Sequence, residues 1–598
     1  RYEARADDSA MKPARHRHAG LLAAAIAAVL GLAACSGVPK NSVPVIVHTV
    51  DGAGQQPAAE DAGPTPGEDP RSIVRDFFAE AVTSTSAARQ FLTLDAQRTW
   101  QPNPVVIVSD EPVIGNPASA GATDRVTVTA GTQVGQLDAT GVYTPTRSSA
   151  PAAAAQSQTV ILKQIDGQWR IDSPPQGLLV GQSTFDANYH PYQLYFFDNA
   201  QTALIADQRY SALSNQQLLS WLMVQTLAGP RPELATAVVN EIPPQVDHAK
   251  VVVTDGDPIQ VEMPGAGQTD SGRVKLAQQL AFTLGVQPPL PSRAVTITDG
   301  GRPLVISASE GSTFSSNDWP GLDPENLSPA GGPFYLHDGQ LIYAATQTPV
   351  SGPLGAPRLG LSVIAVQGSD PDNLRVLATS RTSVLLGASK TGYAPVAGLA
   401  VAGLGQPDWQ PHTTNVWIGG PSGGVYVISA TTGAHKPVAV APTPGGAAAQ
   451  GQIAVLSFSP DGSRLAAVVH GGQGADSVWV GSVVATGNTF RIDSFEPITP
   501  ASVDVTGVAW RDDSALFVLG SDPISTSAAI WTVSSDGSQL TSISLSGLPG
   551  APVSIAAGLG QPAIAAAGGT LSERSESGWQ ALSAGPSYTY GTDPVYSH

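Results

Sequence analysis

Val455-Leu456-Ser457-Phe458-Ser459-Pro460-Asp461-Gly462-Ser463-Arg464-Leu465 decides how the C-terminal half of the chain is read. An apolar strand ends on an aromatic residue, a polar turn follows, and a new apolar strand begins. Gly507-Val508-Ala509-Trp510-Arg511-Asp512-Asp513-Ser514-Ala515-Leu516 repeats that order. Trp479 lies 21 residues after Phe458 and Trp531 lies 21 after Trp510; the two copies are 52 residues apart. Trp409, in Pro407-Asp408-Trp409, precedes Phe458 by 49 residues. Repeats of about 40–50 residues, each with room for about four short strands, predict a β-propeller. The all-β region 330–598 has room for five or six blades, and a closed ring leaves no free sheet edge. A pair of β-sandwiches is the competing arrangement.

Composition agrees with short strands and tight turns. The 598 residues include 63 Gly and 50 Pro, and only 13% are charged. That length exceeds a single core, so several domains are expected. The formal net charge is −18, from 30 basic and 48 acidic side chains. A chain this acidic, with no Lys/Arg cluster beyond its first residues, is a poor partner for nucleic acid or for an anionic membrane surface. Cys35 is the one cysteine, so no disulfide framework exists and apolar burial must hold the domains.

Before the repeats lie two mixed regions. Region 70–185 opens with Ile73, Val74, Phe77, Phe78 and Ala81 at helical spacing behind Pro70. A second helix is expected through Ala87, Ala88, Phe91 and Leu92 toward Trp100. Strands follow, the last two turning at Asp166-Gly167, a strong hairpin signal. An α+β unit with a sheet curved on a helix fits this order. Region 190–310 begins with an aromatic strand, Tyr192-Gln193-Leu194-Tyr195-Phe196-Phe197-Asp198. A helix from Asn215 to Leu227 then stops at Ala228-Gly229-Pro230. Ile242-Pro243-Pro244, a hairpin at Asp255-Gly256, a helix carrying Val274, Leu276, Leu280 and Leu284, and the strand Val295-Thr296-Ile297-Thr298 complete it. Leu227-Ala228-Gly229-Pro230, Ile242-Pro243 and Asp255-Gly256, in that order, resemble the GerMN domain of spore-germination proteins and cell-envelope lipoproteins, which implies an α+β fold.

The N-terminal stretch gives an address. Lys12, Arg15 and Arg17 precede an apolar run of about 15 residues, short for a membrane span and laid out as a secretory signal peptide over 11–34. Leu32-Ala33-Ala34-Cys35 resembles the bacterial lipobox. That resemblance implies cleavage between Ala34 and Cys35, lipid attachment at Cys35, and a location on the outer face of the cell membrane. Residues 1–10 carry Glu3, Asp7 and Asp8, unlike a signal-peptide head, and translation is expected to start at Met11. Residues 35–69, rich in Pro and Gly, read as the lipidated cysteine and a linker spanning roughly 30 Å if flexible, with Val43-Pro44-Val45-Ile46-Val47 able to pair onto a sheet edge.

Lipobox, α+β region, GerMN-like domain and propeller, in that order, resemble the LpqB family of actinobacterial lipoproteins across nearly the whole chain. The resemblance implies a partner: the extracellular region of an MtrB-like sensor histidine kinase, within the MtrA–MtrB two-component system linked to cell-envelope homeostasis and division. No interface residues carry over. A cell-wall glycan is a further ligand class that this architecture admits.

Catalytic motifs are absent or imitated. Gly420-Pro421-Ser422-Gly423-Gly424 has nucleophile-elbow spacing, but an apolar strand follows where a helix is needed, so a hairpin loop is expected. Lys390-Thr391-Gly392 imitates one β-lactamase element, and its companion occurs only as Ser9-Ala10-Met11-Lys12. The ten histidines form no metal-binding pair, and no phosphate loop or calcium loop is present. Asp166, Asp255, Asp299 and Asp461 sit in tight turns, where carboxylates usually serve the backbone. Neither catalytic residues nor a cofactor or metal are therefore assigned, and a binding protein is expected. The alternative is a peptidoglycan- or glycan-processing propeller enzyme, which needs paired carboxylates about 5–10 Å apart in its channel.

Overall fold

The computed structural model describes residues 63–598 apart from 121–122, 147–155, 268–269, 287–291, 307–310, 324–330, 359, 445, 472–475, 501–502, 523–525 and 583–590. The signal segment, Ala34, Cys35, the Val43-to-Val47 segment and most of the linker lie outside the described residues. Residues 63–69, expected as linker, touch the first domain: the Gly67 N–H donates to Gln168 Oε1 at 2.7 Å.

In the first domain, helix Pro70–Thr83 starts on Asp69, whose carboxylate accepts from the Arg71 and Ser72 N–H groups. It buries Ile73, Val74, Phe77, Phe78 and Ala81 with Trp100 in one core. The helix expected from Ala87 toward Trp100 divides into Thr85–Arg89 and Leu94–Thr99. Two bonds at Thr93 divide it. The Thr93 N–H donates to Ile171 O at 2.8 Å, and the Thr93 hydroxyl caps the Ala96 N–H. Strands Ser157–Ile165 and Gln168–Ser173 pair across Asp166 and Gly167, which adopt φ of 51° and 77°, the conformation a two-residue turn requires.

The middle domain is also α+β. Strand His190–Asp198 pairs antiparallel with Leu204–Ser211 and briefly with Val238–Val239. A second sheet orders Val252–Thr254, Ile259–Glu262, Val295–Asp299 and Arg302–Pro303, with Thr313–Phe314 added to the third strand. Helices Asn215–Ala228 and Asp270–Gly285 cover its core, where Leu222, Leu276, Leu280, Ile259 and Ile297 are fully buried. Gly229, at φ 96°, ends the first helix in a backbone state that side chains resist.

The C-terminal domain is a propeller of six four-stranded blades. The last strand, Thr592–Ser597, returns to become the innermost strand of the first blade, pairing with Gly331–His337. Blades two to six begin with inner strands Ile364–Gln367, Asp408–Trp409, Gln452–Phe458, Asp504–Trp510 and Pro552–Ala556. Phe458 and Trp510, the aromatic residues of the repeat, both end inner strands, and Trp479 and Trp531 lie on third strands. The 52-residue repeat is therefore one blade step. Adjacent blades bury a shared seam; Ala466, Val468 and Val478 of blade four meet Val505, Val508 and Trp510 of blade five. Blade four carries a longer outer hairpin, Ser477–Thr486 and Thr489–Pro497, which carries Val484 into the core of the middle domain. Among the described residues no helix is long and apolar enough to cross a membrane.

Candidate functional site

The inner strands surround a central cavity of about 360 Å³. Its lining comes from their carboxyl ends and the turns that follow, so it opens at one end of the ring: Ser369, His412, Pro460 and Leu559 lie there, with Trp510 and Tyr596 on its walls. Asp408 is the one carboxylate among the described lining residues. It is already engaged. Oδ1 accepts from the Trp409 N–H at 2.9 Å and pairs with His598 Nε2 at 3.0 Å, and Oδ2 accepts from the Phe458 N–H at 2.7 Å. The two-carboxylate arrangement that glycoside hydrolysis needs is not formed by these residues. What remains is a mouth rich in proline and apolar side chains with a few polar groups, the make-up of a binding pocket.

Burial opposes charge on His598, but the neighbouring Asp408 charge and hydrogen bond outweigh it and raise the imidazole pKa above its usual value. The sign follows from linkage. A raised folded pKa gives stability that is fully present below the unfolded value, near 6.5, and is lost as pH rises through the folded value. The pair bridges blades one and three, and His598→Gln is expected to cost about 1–2 kcal/mol at pH 5.5 and clearly less at pH 8.5. Thermal melts of both proteins at the two pH values check this; an equal loss at both would contradict a charged His598.

The three domains meet on strand Leu204–Ser211, all eight residues of which are buried. One edge pairs with His190–Asp198, and the other is an unpaired sheet edge that side chains cover. Arg464, from the start of a blade-four strand, donates through Nη2 to Ala206 O and through Nη1 to Asp513 O at 3.1 Å. Arg231 Nη2 donates to Gln208 O at 2.8 Å, and the Tyr210 N–H donates to Gly141 O of the first domain at 2.8 Å. Between them lies Asp207, with no exposed side-chain surface. It takes both Nε and Nη2 of Arg209, at 3.0 and 2.8 Å, and both the N–H and Nε of Arg231, at 2.8 and 3.0 Å. Burial works against that carboxylate, yet the two guanidinium groups hold its pKa below the ordinary range. Tyr210 packs on Phe185 in the first domain while its hydroxyl meets Ser538 of blade five and the Gln208 amide. One strand thus fixes the orientation of the channel mouth against both α+β domains.

The residues singled out in the sequence fall as follows. Ser422 sits in a turn between antiparallel strands Asn415–Gly419 and Val425–Ser429, the hairpin expected. Lys390, Thr391 and Gly392 form the bend between Val384–Ala388 and Gly392–Pro395. Asp461 accepts from the Ser463 N–H and hydroxyl, and Asp299 from the Gly265 and Gly267 N–H groups, so both hold backbone turns. Asp255 is bound by Arg293, and Asp166 occupies the hairpin corner. Sequence reasoning missed the Asp408–His598 pair and the Asp207 cluster. The available signal was the charged pair inside the apolar strand Leu204-Ile205-Ala206-Asp207-Gln208-Arg209-Tyr210.

Three family models match the chain. The N-terminal domain of lipoprotein LpqB matches residues 63–186, the domain described as sporulation and spore germination (Germane) matches 193–305, and the lipoprotein LpqB beta-propeller domain matches 339–597. Lipoprotein LpqB of Rhodococcus opacus is 27% identical over 75% of this chain and 76% of its own length. Lipoprotein LpqB of Corynebacterium diphtheriae is 26% identical over 88% and 89%. Among solved structures, TolB from Acinetobacter baumannii matches 44% of this chain and 66% of its own at 14% identity, with a TM-score of 0.32.

Proposed function

Because the chain belongs to the LpqB lipoprotein family, we propose that it is a lipid-anchored adaptor that binds the extracytoplasmic region of a sensor histidine kinase and modulates two-component signalling in the cell envelope. The channel mouth is the observation that carries this reading. It is an open pocket in which Asp408, the one carboxylate among the described lining residues, is spent on three bonds, which suits holding a partner's loop better than cleaving a bond. The loops around it can vary without disturbing the blades that support them. Cys35 is the proposed anchor, in keeping with the lipoprotein name of the relatives.

Two measurements test the parts separately. Immobilised extracytoplasmic domain of the kinase is expected to capture the mature protein, and Leu559→Arg at the mouth to weaken capture at least about tenfold. Repeated failure of folded protein to bind would sink the partner; equal capture of the variant would move the interface elsewhere. Cys35→Ala is expected to shift the protein from the membrane pellet to the soluble fraction or leave it unprocessed. Unchanged lipid labelling would remove Cys35 as the anchor.

A further inference from the structure

A second cleft, of about 490 Å³, lies between the first domain and helix Asn215–Ala228 of the middle domain. Its chemistry differs from the rest of the molecule. In a chain carrying 48 acidic and 30 basic side chains, Asp138 is its one charged lining residue among those described. Asp138 turns its carboxylate to its own backbone, accepting from the Thr140 and Val142 N–H groups and the Thr140 hydroxyl. The remaining polar groups are neutral amides and hydroxyls. The side chains of Asn103 and Gln217 are exposed and form no hydrogen bond with the described residues, so their amides are available to a ligand.

Tyr189, Tyr210 and Trp221 line the cleft, and of the three Trp221 is the one not buried. Trp221 is half-buried, and its six-membered ring rests against Gly141 of the first domain. That glycine has φ +77°, and a Cβ there would stand 2.8 Å from the ring, so the absence of a side chain lets the tryptophan sit across the domain boundary. An indole wall beside neutral donor–acceptor amides matches a ligand with apolar C–H faces and a rim of hydroxyls. Anionic ligands find no counter-charge among the described lining residues, and the carboxylate of Asp138 is already bound to its own turn.

We propose that this cleft binds a neutral oligosaccharide, with Trp221 stacking on a sugar face and Asn103 and Gln217 bonding its hydroxyl or acetamido groups. The site is separate from the channel mouth, and a failure of either leaves the other standing. Titration calorimetry of the mature protein with chitotetraose and maltotetraose tests it. Saturable binding of at least one sugar is expected, with affinity nearly unchanged between low and high salt because no charges are screened. Trp221→Ala is expected to weaken it at least about tenfold, and Asn103→Ala or Gln217→Ala about three- to fivefold each. The two amide variants are exposed and bear on the question even if Trp221→Ala fails to fold. No saturable heat from either sugar up to about 10 mM, the scale of the weakest specific complexes, would overturn the proposal. So would binding that neither amide variant changes, or that vanishes as salt rises.

Discussion

Asp207→Ala is expected to lower stability by about 3–5 kcal/mol, because it leaves buried charge without its counter-ion. The carboxylate has no exposed surface, and Arg209 and Arg231 have 3% and 12% of theirs. Removing Asp207 strands two positive charges beside the buried guanidinium of Arg464, which burial already disfavours. Arg209→Met should cost less, about 2 kcal/mol, since the Asp207–Arg231 pair survives and no charge is left unpaired, although the two bonds from Arg209 to Asp207 and those to Thr140 O and Gly229 O are lost. The unequal costs distinguish a charge-counting account from one in which any truncation on a buried strand is equivalent. Calorimetric melts of the two variants, with limited proteolysis at the domain junctions, give the comparison. The account fails if Arg209→Met proves as damaging as Asp207→Ala, or if Asp207→Ala melts with the parent. Asp513, which burial and the nearby Asp461 charge push well above the usual carboxylate range, sits in the same cluster.

What could be read from the sequence was local. The blade repeat was visible because each turn carries its own chemistry: Asp461 binds the Ser463 N–H in one copy, and Asp512 binds the Ser514 and Ala515 N–H groups in the other. Helix Asn215–Ala228 announced its end through Gly229, and the hairpin at Asp166-Gly167 its corner. The three-part order of α+β, α+β and all-β domains followed from such signals. Contacts between distant segments left no comparable trace. His598 reaches Asp408 across 190 residues, and Arg464 reaches Ala206 across 258. Nothing in the composition of either neighbourhood names its partner, because the fold's closure and the docking of domains choose it. Thr93 fails as a helix interior for a similar reason: a carbonyl from the distant strand Gln168–Ser173 claims its N–H. The mouth of the channel, where binding is proposed, and the junction strand were therefore the least legible parts.

Removing residues 592–598 is expected to open the propeller. Strand Thr592–Ser597 is the only covalently late piece of the first blade, and it binds that blade to both neighbours among the described residues. It pairs Val595 with Phe334, its Tyr596 hydroxyl donates to Pro562 O of blade six, and His598 exchanges backbone bonds with Val366 and Gly368 at blade two. Val595 packs with Phe334, Leu336 and Ile364, while Tyr596 packs with Ile342 and Ile564. Losing these two side chains alone forfeits about 3–5 kcal/mol of apolar burial. The cut also bares the inner edge of Gly331–His337, an unpaired strand edge of the kind that recruits other chains. The truncated protein should therefore melt well below the parent and self-associate, whereas Tyr596→Phe, which removes one hydrogen bond and keeps the ring packing, should cost only about 1 kcal/mol. Light scattering and thermal melts separate these outcomes. Circular dichroism of the truncated protein should still show helical signal, since the helices belong to the two domains before the ring. A truncated protein that stays monomeric and melts with the parent would mean that the blades hold one another without the clasp, and that the channel mouth does not depend on ring closure.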